Sequence, residues 1–255
     1  MTISRPAPAN PTATPSGRRR RGRWIPPQHG AWAMLLVPYL AGLLTTGFTW
    51  VQLPLLIAWL GGYLLSYFAL LAVKTRRVSR FRPQLLTYGL VALATGTVVL
   101  AARPQLIAFA PLFIAVLAIN GFFASRHDDR ALINGLVSTA AASLILPVVA
   151  VVNGESPWQT AQTTLIIVLY FAGTVFFVKS CIRERGNRPL LTTSIAFHTL
   201  TLAAATWLAP PYALPFTCCL ARAALLPRLA MSAKQIGMAE VAGSLLLLAM
   251  IAVVE

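Results

Sequence analysis

From Val51 to Val73 the chain runs 23 residues without one Asp, Glu, Lys, Arg or His. About 20 apolar residues are what an α-helix needs to cross roughly 30 Å of hydrocarbon, and the run is about twice the length of a membrane β-strand. In lipid every backbone N–H and C=O must be paired inside the segment, so a continuous run of this length reads as helix and the fold class as all-α. Composition agrees: 57% of the residues are apolar and 11% are charged. That excludes disorder for the bulk of the chain. The net charge of +15 would suit a nucleic-acid-binding surface, but a soluble basic domain does not carry so much apolar sequence, and no nucleic-acid partner is expected.

Eight further apolar stretches follow the same rule. The nine run over about 30–48, 51–73, 85–102, 104–124, 131–152, 157–178, 189–208, 211–226 and 236–254. The eighth is the weakest, because Pro211 and Pro215 interrupt it and Arg222 sits near its end. Connections of about six residues suit a helix bundle and leave no space for a soluble domain. The reading is a polytopic bundle of about nine transmembrane helices: a single domain over 28–255 after a basic tail over 1–27. The tail is rich in Pro, Ala, Thr and Arg and is expected to be disordered.

The cations sort by connection. Twenty of the 21 Lys and Arg fall in the tail and every second connection, and Arg103 alone falls on the other side. The positive-inside rule puts the rich side, with the N-terminus, in the cytoplasm. A missed or extra span would scramble this alternation, so it supports the count of nine. Arg18–Arg21 and Arg23 ahead of an apolar run resemble the start of a signal peptide, but no small-residue cleavage site follows, and an uncleaved first helix is the better reading. The basic face is expected to meet membrane lipids through their anionic headgroups. Cys181, Cys218 and Cys219 have no metal-type spacing. They read as small apolar residues.

Candidates for chemistry are the polar groups at the ends and interiors of spans. His29, in Gln28-His29-Gly30-Ala31-Trp32, opens span 1, where free helix N–H groups can contact an anion. Lys74 and Arg77 close span 2 at i, i+3, and Lys179 and Arg183 close span 6 at i, i+4. Snorkelling to headgroups accounts for each pair alone; together they can converge on a phosphate or carboxylate. Asp128 and Asp129, between Arg126 and Asn134, read as a solvated turn with local ion pairs. His198 falls mid-way along span 7. It reads either as a hydrogen-bonded packing residue or as a proton-relay group. Glu240, one turn into span 9, is within reach of Arg222; paired it is structural, unpaired it would be a proton acceptor. Walker, Rossmann, zinc-protease and nucleophile-elbow motifs are absent from the sequence, and no metal or cofactor is expected.

The opening Pro27-Gln28-His29-Gly30-Ala31-Trp32-Ala33-Met34-Leu35, the Arg126–Asn134 linker and Val178-Lys179-Ser180-Cys181-Ile182-Arg183-Glu184-Arg185 resemble the YwiC-like family of bacterial integral membrane proteins. The resemblance covers roughly 25–255. It implies a multi-pass protein of the bacterial cytoplasmic (inner) membrane and brings no activity with it. More distantly the chain is similar to UbiA-type intramembrane prenyltransferases, through Pro38 and Gly42 in the first span and Arg82-Pro83 after the second. Those enzymes hold Mg²⁺ and a prenyl diphosphate with Asp-rich motifs, where this chain offers Lys74, Arg76, Arg77, Lys179, Arg183 and Arg185. Hard Mg²⁺ needs oxygen ligands, so the metal site is not expected here.

The leading expectation is a cytoplasm-facing cavity that binds an anionic amphipath, a prenyl diphosphate or an acidic lipid. Its ligand-binding residues would be His29, Lys74, Arg77, Lys179, Arg183 and Glu240. The alternatives are a metal-independent lipid or prenyl transferase, a proton-coupled transporter using His198 and Glu240, and a membrane scaffold subunit.

Overall fold

A computed structural model describes residues 24–26, 29–229 and 231–255. The tail expected over 1–27 therefore lies outside the described residues, apart from Trp24, Ile25 and Pro26. The described residues are all-α, with no strand. The helices are α1 (His29–Thr46), α2 (Gln52–Thr75), α3 (Val78–Ala102), α4 (Ala110–Ser125), α5 (Leu132–Ser143), α6 (Ile145–Val152), α7 (Ala161–Val178), α8 (Arg188–Leu208), α9 (Ala213–Leu225) and α10 (Ala233–Val254). With α5 and α6 counted as one interrupted rod, they form nine rods in the order read from the sequence. Six rods are long and apolar enough to cross a membrane, and the part of α1 over Gly30–Thr46 is apolar but shorter. The eighth rod, α9, is only 13 residues long. The chain is a multi-pass membrane protein.

Prolines and one left-handed residue set the local breaks. α4, α7 and α9 are each entered through a short 3₁₀ turn that starts at Pro104, Pro157 or Pro210, since a fixed φ suits the first helical position. The α5–α6 break falls at Leu144, three residues before Pro147. Pro147 has no N–H for the Ser143 carbonyl, and its ring crowds that carbonyl, so the rod cannot continue unbroken. α2 ends where Arg76 takes φ 53°, with the Arg76 and Arg77 N–H groups donating to the Val73 and Ala72 carbonyls. Such a helix stop favours glycine. Arg76→Gly is expected to raise stability by about 1 kcal/mol, measured as a higher unfolding midpoint in detergent; an unchanged or lower midpoint would show no strain there.

α3 begins at Val78 and carries Pro83 in its second turn. Arg82 and Pro83 are therefore helical and not part of a basic loop, which removes one of the two likenesses to the prenyltransferases. α2 and α3 form the most extensively packed pair. Tyr88 of α3 stacks on Phe68 of α2 at 5.8 Å and donates a 2.7 Å hydrogen bond to the Trp24 carbonyl.

The α5–α6 rod and α7 fill the centre, while α3 and α4 bury very little and stay at the periphery. Leu146, Val149, Ala150 and Val152 of α6 are fully buried. Gly42 lets α1 close onto α6: a Cβ there would stand 2.9 Å from Val149 Cβ. At the end of the bundle where α6 stops, Asn153 ties the α1–α2 turn. Its Nδ2 donates to the Thr46 and Gly47 carbonyls at 3.0 and 2.7 Å, and its Oδ1 accepts from Gln52 Nε2 and Thr49 Oγ1 at 2.7 and 3.0 Å. Arg103, the one cation assigned to this side, donates from Nε to the Val152 carbonyl at 2.9 Å. A cation at a helix C-terminus is favourable both as a donor and against the helix dipole.

Candidate functional site

At the opposite end of the bundle, α1, α5, α7 and α10 do not close. They leave a cavity of about 1180 Å³. Along α10 it is lined from Ala233 to Leu245, a depth of roughly 18 Å at 1.5 Å per residue. The walls are apolar, with Met34, Phe171, Val175, Ile236, Val241 and Leu245 among them. Polar side chains appear at two levels: a cationic mouth and an ion pair further in.

The mouth is electropositive for two reasons. The first turns of α1, α5 and α10 supply Gly30, Leu132 and Ala233 to it, so three positive helix-dipole ends meet there. Arg130, Lys179, Arg183 and Lys234 also line it. Lys179 and Arg183 sit on a π-helical turn, Lys179–Arg183, which continues α7 and is closed by the Glu184 N–H donating to the Lys179 carbonyl at 2.9 Å. Such turns occur frequently at functional sites. This one keeps both cations at the mouth.

Lysines answer two of the nearby carboxylates. Lys179 pairs with Glu184 at 3.1 Å, and Lys74 pairs with Asp129. Burial alone would raise the Asp129 carboxyl, but the hydrogen bond and charge of Lys74 outweigh it and hold its pKa below the ordinary value. Asp129 is thus linked across the bundle to α2, not locally within its turn. Its carbonyl also accepts from Asn134 Nδ2 at 2.9 Å. Among the described residues Arg130, Arg183 and Lys234 have no ion-pair partner.

Deeper in, Glu240 is buried and paired with Arg222 of α9. Thr174 Oγ1 donates to Glu240 Oε2 at 2.6 Å and accepts from an Arg222 Nη at 3.1 Å. The Arg222 guanidinium also lies 5.3 Å from the Tyr170 ring centre and 5.0 Å from that of Phe177. A carboxylate, a hydroxyl and two ring faces make a buried guanidinium tolerable. Glu240 and Thr174 line the cavity, whereas Arg222 stands behind them.

Three of the sequence candidates, Lys179, Arg183 and Glu240, thus share one cavity. Lys74 does not line it and acts through Asp129, which does. Arg77 is exposed at the α2–α3 corner, away from it. The side chain of His29 lies outside the described residues, although its backbone opens α1. His198 is buried but does not line the cavity; its Nδ1 donates to the Ser194 carbonyl at 2.7 Å, and Gly173 packs on its Nε2. Sequence reasoning missed Arg130, Lys234 and Thr174 as lining residues. The only sequence signal for Thr174 is its place among Phe171, Val175 and Val178 on one helical face. Among the described residues no three His, Cys, Asp or Glu side chains gather as a metal site would need.

Comparison with known proteins gives consistent results. The family model described as YwiC-like protein matches residues 25–150. The chain is 33% identical over 182 residues to "Uncharacterized protein YwiC" of Bacillus subtilis (strain 168), a match covering 69% of this chain and 74% of that protein. It is 29% identical over 221 residues to an "Uncharacterized protein" of Haemophilus influenzae (strain ATCC 51907 / DSM 11121 / KW20 / Rd), covering 84% and 91%. No solved structure matches.

Proposed function

The chain belongs to the YwiC-like family, and from that premise we propose that this multi-pass protein sits in the bacterial cytoplasmic membrane and holds an anionic amphipath in a cavity that faces the cytoplasm. One observation supports the reading above all others. An apolar cavity of about 1180 Å³ opens at a mouth where Arg130, Arg183 and Lys234 have no ion-pair partner among the described residues. Apolar walls suit an acyl or isoprenoid chain. Excess cations and three helix N-termini suit its charged head. The orientation rests on the alternation of cations, which puts this end of the bundle inside.

The transporter alternative draws less support. His198 is off the cavity and Glu240 is already held by Arg222 and Thr174, so neither offers a free proton site along a path.

Lipid that copurifies with the protein tests the reading. Mass spectrometry is expected to find acidic lipid or isoprenoid phosphate enriched over the bulk membrane. Gly237→Leu should reduce that enrichment about tenfold, since Gly237 lines the cavity and a Cβ there meets nothing within 4 Å, so the added side chain takes up space inside it. Enrichment that is absent, or unchanged in this variant, would sink the proposal.

A further inference from the structure

We propose that the cavity mouth is a clamp for a terminal phosphate, with Arg130 and Arg183 as its two forks, so that the amphipath is a phosphate monoester of an apolar chain. This rests on the cavity reading above and adds the chemistry of the head. The lysines of the region are occupied: Lys74 by Asp129 and Lys179 by Glu184. The two arginines have no ion-pair partner among the described residues, and they act on each other as like charges, an effect that Asp129 nearby offsets only in part. Two guanidiniums held near one another at the mouth of an apolar cavity repel, and an anion between them relieves that.

The type of anion follows from the number of donors. A guanidinium presents a planar fork that takes two oxygens at once. A carboxylate has two oxygens and one charge, enough for one fork. The bridging phosphate of a common phospholipid has one charge and lies inside its head, where it cannot enter a cavity end-on. A phosphate monoester carries about −1.5 to −2 charges at neutral pH and three strong acceptor oxygens. It can meet both forks and still accept from backbone N–H groups.

Such groups are present. Arg130 is followed by Ala131, the N-cap of α5, which provides no side-chain cap. Ala131 and Leu132 both line the cavity beside Arg130; the Ala131 N–H donates to the Asp128 carbonyl at 3.0 Å, so the groups on offer begin at Leu132. The opening N–H groups of a helix lack intrahelical partners and favour anions. Lys234, at the first turn of α10 and also lining the mouth, adds a third charge. Asp128 does not line the cavity.

The test uses the full chain in nanodiscs of zwitterionic lipid and three probes: dodecyl phosphate, dodecanoate and inorganic phosphate, titrated calorimetrically. Dodecyl phosphate is expected to bind about tenfold or more tighter than dodecanoate, the margin of an additional charge-assisted hydrogen-bonded contact. Arg130→Gln and Arg183→Gln should each abolish that margin, and Arg130→Lys, which keeps the charge and loses the fork, should lose part of it. Arg80→Gln, outside the cavity lining, should keep it. Both arginines are exposed, so these variants are expected to fold. If dodecanoate binds as tightly as dodecyl phosphate, the clamp is overturned while the amphipath cavity stands. If inorganic phosphate matches dodecyl phosphate, the apolar chain contributes nothing and the amphipath reading falls while the clamp stands. If none of the three binds, both fall.

Discussion

Arg222→Met is expected to destabilise the protein by about 3–5 kcal/mol, the usual consequence of removing one partner of a buried ion pair. The variant leaves Glu240 in the bundle interior with Thr174 as its one remaining partner. The side chains of Arg222 and Glu240 are 9% and 8% exposed, so water can replace the lost guanidinium only from the cavity side, where Glu240 lines the wall. The readout is the unfolding midpoint of the detergent-purified protein. The double variant Arg222→Met, Glu240→Leu should recover most of the loss, because an apolar pair of similar volume replaces the charges without leaving one stranded. A single variant as stable as the parent would show that Glu240 finds another partner or is not charged. The same variant should also weaken the proposed anionic ligand, since a freed carboxylate would face the cavity.

The second large effect is expected at Gly42. A Cβ on this residue meets Val149 Cβ and Cγ1, both at 2.9 Å, and Val149 is fully buried. Gly42→Ala is therefore expected to push α1 off α6 and to cost about 1–3 kcal/mol, as overpacking of a filled core does. Val149→Ala should cost stability alone, by cavity formation, and rescue Gly42→Ala in part, because it removes Cγ1 but keeps the Cβ that stands 2.9 Å away. The pair forms a double-mutant cycle with a coupling that distant sites do not show. Additive losses would mean that α1 and α6 do not approach closely at Gly42. This assigns Gly42 a packing role, whereas the sequence offered it only as a feature shared with prenyltransferases.

Span count and order were legible because hydrophobicity and length act locally, and nine rods appear where nine apolar stretches stood. Boundaries were less legible. α3 starts seven residues ahead of the apolar stretch, since a helix can carry Arg80, Arg82 and Pro83 beyond the apolar zone. The site was half legible. The i, i+4 argument for Lys179 and Arg183 held because α7 continues past Val178 as a π turn. The i, i+3 argument for Lys74 and Arg77 failed because Arg76 turns left-handed and ends the helix between them. Spacing rules apply only while the helix lasts. Reach along the chain suggested the Arg222–Glu240 pair. Nothing local could announce Arg130, and only a shared helical face marks Thr174, because their places on the cavity wall arise from the meeting of the α4–α5 turn, α7 and α10.

The Asn153 tie at the far end of the bundle bears on traffic. It fastens the α1–α2 turn to the end of α6, and none of the cavity lining belongs to α2 or α6. The lining stops at Met34, Phe171 and Leu245, short of the end that Asn153 ties. The proposed amphipath would then enter and leave past Arg130 and Arg183, with its dwell time set at that end. On that proposal the cavity is a receptacle open to one leaflet rather than a conduit between two compartments.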